Sequence, residues 1–144
     1  MSTTYVPLIS SGTAGPLGVL HLPRLWLKLS LEAAGKLASG YPGCGKGYDA
    51  MTLGALGLDE DATKSYIKSS KPTYPQFEAW VKANGKTVTP DAIAKHNAAV
   101  TGYIHDPETQ KSILSANGLS DGPKDAVNLN NLDDWYEFHQ SVLK

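Results

Sequence analysis

Pro23-Arg24-Leu25-Trp26-Leu27-Lys28-Leu29-Ser30-Leu31-Glu32-Ala33-Ala34 is the stretch on which the fold turns. Leu25, Leu27, Leu29 and Leu31 alternate with Trp26, Lys28, Ser30 and Glu32, which is the period of a strand. Leucine, however, is a good helix former and lacks the β-branching that strands favour. Pro23 suits the first turn of a helix, and the run continues into Ala33 and Ala34. The residues predict a helix over about 23–38, with a strand as the rival.

Downstream, the local signals are those of helix starts and stops. A helix is expected near 48–57. Asp59 reads as an N-cap, with Glu60 and Asp61 in the first turn of a helix ending near Lys68. Thr73 and Pro75 open the next, whose stripe is Phe77, Trp80 and Val81, and Asn84-Gly85 closes it. Thr89-Pro90-Asp91 starts a helix running to about Ile104, and Asp106-Pro107-Glu108 one that stops at Asn117-Gly118. Gly118 to Asn131 reads as a surface loop. The last helix is expected from about Asn131, with Asp133 and Asp134 in its first turn and Leu132, Trp135, Tyr136, His139, Val142 and Leu143 facing inward. Upstream, Pro7, Gly12, Gly15, Pro16 and Gly18 break up residues 5–20, so residues 1–21 are expected as an extended arm laid on the core. The fold expected is therefore all-α, a compact single domain of six or seven short helices over 1–144.

Bulk properties limit the function classes. The chain has 144 residues, 13 basic and 14 acidic, so a basic nucleic-acid-binding surface is not expected. No apolar run approaches the roughly 20 residues of a membrane helix, and the N-terminal stretch lacks the basic start of a signal peptide. Cys44 is the one cysteine, which rules out an intrachain disulfide. A cytoplasmic protein without membrane insertion is the expectation.

Gly40-Tyr-Pro-Gly-Cys-Gly-Lys46-Gly47 matches a phosphate-binding loop except at its last place, where Gly47 replaces the magnesium-holding hydroxyl. The stretch before it reads as a helix end rather than a parallel strand, which argues against nucleotide hydrolysis. Two readings stay open. In one, the amides of Cys44 to Gly47 form an anion-binding nest beside Lys46. In the other, the loop is a glycine-rich connection. Asp49 reads as a first-turn carboxylate, or as a site acid paired with Lys46 or Arg24. Arg24, the one arginine, is the one source of forked anion recognition.

His96 and Asn97 fall on an otherwise apolar stripe with Ile93, Val100 and Ile104, so each must find a polar partner. A structural pair is the simpler reading; a proton carrier is the other. His139 sits on a similar face, with a site shared with His96 left open. His21 and His105 fall near segment ends and read as solvent-facing or capping. Cys44 is either a filler or a nucleophile activated by Lys46. No metal-ligand spacing is present and no cofactor is implied.

Leu22-Pro23-Arg24, Lys28, Ala34-Gly35-Lys36-Leu37, Gly45-Lys46-Gly47-Tyr48-Asp49, Phe77 to Asn84, Lys95-His96-Asn97 and Leu132-Asp133-Asp134-Trp135 follow one another in a recognisable order. In this the chain resembles the bacterial domain-of-unknown-function family numbered 5069, over most of its length after residue 20. Arginine is scarcer here and the Cys44 loop is richer in glycine than that pattern. The resemblance implies a mainly helical stand-alone domain, supports the helix at 23–38, and implies no activity.

Two functions follow as expectations. The first is a site for a small polar or anionic molecule at Arg24, Lys46, Gly47, Tyr48, Asp49 and Asn97, with His96 or Asp49 as the weak candidates for acid–base chemistry. The second is a non-catalytic adaptor that docks a protein partner through the arm and an exposed Trp26.

Overall fold

The computed structural model describes residues 3–144, and over these the chain is all-helical. Its helices are α1 Leu22–Ala33, α2 Tyr48–Leu56, α3 Glu60–Ser70, α4 Tyr74–Asn84, α5 Pro90–Gly102, α6 Pro107–Ala116 and α7 Ala126–Phe138. A π-helical turn, His139–Leu143, continues α7. Among the described residues β pairing is limited to two isolated bridges, Tyr5 with Leu37 and Ile104 with Asp125.

Leu22, Leu25 and Leu29 of α1 are buried, at the 3–4 spacing of a helix face, while Leu27 and Leu31 are half-buried. The alternating leucines are thus a helical stripe overlaid on flanking positions. The helix stops at Ala33 rather than near 38. Gly35, at φ +70°, reverses the chain, and the Lys36 carbonyl then accepts from the Tyr5 amide at 2.7 Å.

α1 packs on α3 and α4, and α2 packs on α5, around Val19, Leu53, Leu56, Ile67, Phe77 and Val81. The expected caps position these helices. Asp59, Thr73, Thr89 and Asp106 each accept an amide hydrogen from the first turn they precede. Each such cap contributes about 1 kcal/mol. Trp26, expected on the surface, is half-buried, and its indole N–H donates to the Pro72 carbonyl at 3.0 Å.

The last helix departs most from expectation. It begins at Ala126, because Asp125 caps it by accepting from the Asn128 amide. Residues 126–130 are therefore helical, although Asn128, Asn130 and Asn131 are poor helix formers. Its buried residues are Ala126, Leu129 and Asp134. Trp135 (60% exposed), Val142 and Leu143, expected inside, are exposed. α5 likewise ends at Gly102 and leaves Ile104 exposed, because residues 103–105 pair with the strap that leads into α7. The His105 amide donates to the Lys124 carbonyl, and the Ala126 amide donates to the Tyr103 carbonyl.

The arm has no helix to satisfy its backbone, so side chains of the helices do so. Glu78 accepts from the Leu17 amide, and the Asn97 amide group bonds Leu20 N–H at 3.0 Å and Gly18 C=O at 2.8 Å. Arg24 holds the other end. Its guanidinium, 6% exposed, donates to the carbonyls of Pro7 and Ile9 and pairs with Asp134 at 2.5 and 3.0 Å. One side chain therefore ties the arm, α1 and α7 together. Arg24→Met should cost about 3–5 kcal/mol, because Asp134 is left buried without its counter-ion. Urea unfolding measures this loss, and the double variant Arg24→Met/Asp134→Leu should recover most of it.

Candidate functional site

α1 carries a second stripe, offset by one residue from its leucines. His21, Arg24 and Lys28 share the i, i+3, i+7 spacing, and all three are buried. They form one side of a cleft of about 380 Å³. The glycine loop and the start of α2, with Lys46, Gly47, Tyr48 and Asp49, form the second side. Tyr103, His105, Asn130 and Asp133 form the third.

Asp49, the second residue of α2 and 3% exposed, is the hub. It accepts from His21 Nε2 at 2.6 Å, Lys28 Nζ at 2.5 Å and the Gly45 amide at 2.7 Å. Its first-turn position is the one expected, but Lys46 and Arg24, the partners of the alternative reading, are not the ones it has. Burial alone would raise this carboxyl. The His21 hydrogen bond, the charges of His21 and Lys28 and the Gly45 amide outweigh it and hold the group at about 2. His21, expected at the surface, is 2% exposed and sits at φ +73°. This left-handed conformation is uncommon for a side-chain-bearing residue. Bonds from both ring nitrogens hold it there. Burial keeps the imidazole below its ordinary range despite Asp49, so it is neutral at pH 7. Nε2–H then donates to Asp49, and Nδ1 accepts from the buried Ser11 hydroxyl at 2.9 Å.

The glycine loop binds carboxylates of its own chain. The Gly45 amide is taken by Asp49, and the Gly43 amide donates to Glu32 at 3.1 Å. A Cβ on Gly43 would lie 2.4 Å from that Glu32 carboxylate, so a side chain there would push the carboxylate aside and break this hydrogen bond. The Cys44–Gly47 nest is therefore part-filled. Gly47 caps α2 without a side-chain bond, nothing lies within 4 Å of where its Cβ would be, and Lys46 is exposed. Burial, with Asp49 and Glu60 nearby, pushes the Cys44 thiol up to about 11, which leaves it protonated and unreactive at neutral pH.

The structure brings Arg24, Lys46, Gly47, Tyr48 and Asp49 together around the cleft. It does not bring His96 or Asn97 there. His96 Nε2–H donates to the Leu20 carbonyl at 2.9 Å, and Asn97 holds the arm. His139 is exposed at the end of α7, outside the cleft, and His105 meets Asn130 Oδ1 at 3.0 Å. Lys28, His21, Asp133 and Asp134 were not singled out as site residues by the sequence. Among the described residues no group of three or more His, Cys, Asp or Glu is arranged to hold a metal.

Lys28 has an unusual donor balance. An ammonium offers three N–H groups. Asp49 takes one of them, and the remaining donors of this buried lysine have no partner among the described residues. Arg24, by contrast, spends Nη1 and Nη2 on Asp134 and on the carbonyls of Pro7 and Ile9. The cleft thus presents a buried cation with open donors at its floor and an exposed cation, Lys46, at its rim.

No protein-family model matches the chain, and no curated protein is detectably similar to it.

The pH dependence of stability follows from these groups. Asp49 titrates below its unfolded value of 3.8, so its stabilisation is complete above about pH 4 and disappears as pH falls toward 2. That stabilisation amounts to about 2 kcal/mol. His21 and His96 are both held below 6.5 by burial, so stability is greatest above that value and declines as pH drops below it. Thermal melts from pH 8 to pH 2 should therefore show two stages of loss, the first beginning near 6.5 and the second below 4. His96→Gln should weaken the first stage alone.

Proposed function

We propose that the chain is a binding domain for a small polar or anionic molecule held in the cleft over α1. The observation that carries this reading is Lys28, a buried ammonium with unfilled donors at the floor of a concave site. Unpaired donors of a buried charge carry a desolvation penalty that an incoming anion relieves. The exposed Lys46 and the start of α2 add positive potential on the same side. A volume of about 380 Å³ is at the lower end for ligand pockets, in keeping with a small molecule. Arg24 is a positioning residue in this reading, since Asp134 and the arm carbonyls occupy it. The two proton carriers considered, His96 and Asp49, are engaged in internal hydrogen bonds, which favours binding over acid–base chemistry.

The resemblance to the family numbered 5069 supports reading this as a stand-alone bacterial domain. The single cysteine supports a cytoplasmic setting. Among the described residues no helix is long and apolar enough to cross a membrane.

A thermal-shift screen of acetate, phosphate and magnesium-ATP tests the proposal. An anion at roughly 100 times its Kd adds about 2.7 kcal/mol, which raises Tm by several degrees. Lys46→Ala should shrink that rise without changing the unliganded Tm, and Lys28→Met should abolish it. Strong stabilisation by magnesium-ATP alone, lost in Lys46→Ala, would replace this reading with a phosphate-loop function.

The adaptor reading has one observation in its favour. Trp135, 60% exposed, and Leu8, 47% exposed, border a groove of about 450 Å³ beside Pro23. Trp135→Glu should leave the melting temperature unchanged, and it should reduce any concentration-dependent self-association seen by sedimentation.

A further inference from the structure

Once the charges inside the cleft are matched to one another, one of each sign is left over. Asp49 neutralises Lys28, and Asp134 neutralises Arg24, each in direct contact. Lys46, exposed at the rim, has no carboxylate within ion-pair reach among the described residues. On the α7 side, Asp133 makes no hydrogen bond to the protein among the described residues, although it is half-buried and lines the cleft. The cleft therefore has open cationic donors on its α1 and α2 sides and one open carboxylate on its α7 side.

Resting on the proposal above that the cleft binds a small anionic molecule, we infer that the occupant is a zwitterion of amino-acid type, its carboxylate on Lys28 and Lys46 and its ammonium on Asp133. Several features favour an ammonium over a hydroxyl at that end. Burial first, and then the neighbouring Asp134 and Glu137, hold the Asp133 carboxyl above the ordinary range, against the opposing charges of Arg24 and His105. A cation placed there relieves both the repulsion and the desolvation, whereas a neutral donor relieves only the second. Tyr48 and Tyr103 stand edge to face, with ring centroids 5.5 Å apart, and line the same cleft. Aromatic faces of that kind also favour a cation.

Calorimetric titration of the full chain with matched pairs tests the inference. The pairs are glycine with acetate, β-alanine with propionate, and 4-aminobutyrate with butyrate, so that the charge spacing is scanned. One amino acid should bind at least about tenfold more tightly than its amine-free partner, the advantage of a charge-assisted contact. In Asp133→Asn, and in Asp133→Ser as a second variant, that affinity ratio should fall to near one. If the simple acids bind in a Lys28-dependent way but the amine brings no gain, or if the gain survives both variants, the zwitterion inference is wrong and the anion site stands. If neither member of any pair binds, both fail.

Discussion

The structure depends on a line of charge buried along one face of its first helix. α1 is covered on two sides at once: Leu22, Leu25 and Leu29 enter the apolar core, and His21, Arg24 and Lys28 enter a polar interior one residue out of phase. Each member of the second line is answered by a carboxylate from elsewhere in the chain, Asp134 from α7 for the arginine and Asp49 from α2 for the lysine and the histidine. Buried ion pairs of this kind are poor sources of stability, because desolvation offsets most of the attraction, and apolar replacements of equal volume often do as well or better. Two such pairs on adjacent turns of one helix place Arg24, Lys28 and Asp49 along the wall of a concave surface. Their structural consequence is real nonetheless: they set how α2 and α7 sit against α1, and so they shape the cleft.

The same economy of side chains holds the N-terminal arm. Residues 3–21 form no helix and only one bridge, yet Val6, Pro7, Ser11 and Val19 are buried. Peptide groups of Pro7, Ile9, Leu17, Gly18 and Leu20 are satisfied by Arg24, Glu78, His96 and Asn97, four polar side chains that would otherwise be unaccountable inside a small core. The arm in turn positions His21, whose amide donates to the Thr13 carbonyl and whose ring meets Ser11. Arm and cleft are therefore coupled through a single residue held in a left-handed conformation.

Much of this was legible from local chemistry. Asp59, Thr73, Thr89 and Asp106 announce helix starts because capping is a contact between near neighbours in sequence. That residues 23–33 are helix was legible for the same kind of reason, since leucine propensity and Pro23 outweigh an accidental alternation, whereas the stop at Ala33, short of 38, was not. What sequence reading missed was non-local. Lys28 looked like the solvent half of that alternation, and only the arrival of Asp49 makes it a buried ion. Asp134 read as a first-turn acid because the asparagines at 128, 130 and 131 masked the true start at Asp125. His21 looked like a surface residue because nothing near it in sequence foretells its two ring partners. Arg24 was singled out for being the one arginine, but for a ligand rather than for Asp134. His96 and Asn97 were correctly seen as polar groups on an apolar face, and the partner they needed was the arm.

The measurement that bears most directly on the charged floor of α1 as a binding surface is a map of where a small anion lands. Amide chemical shifts of the isotope-labelled chain, followed through a titration with acetate, should move saturably at Lys28 and at Lys46 to Asp49, with one common affinity. The absence of saturable change at those positions, or change confined to the separate lysine-lined groove of Lys36, Lys68 and Lys71, would contradict the account.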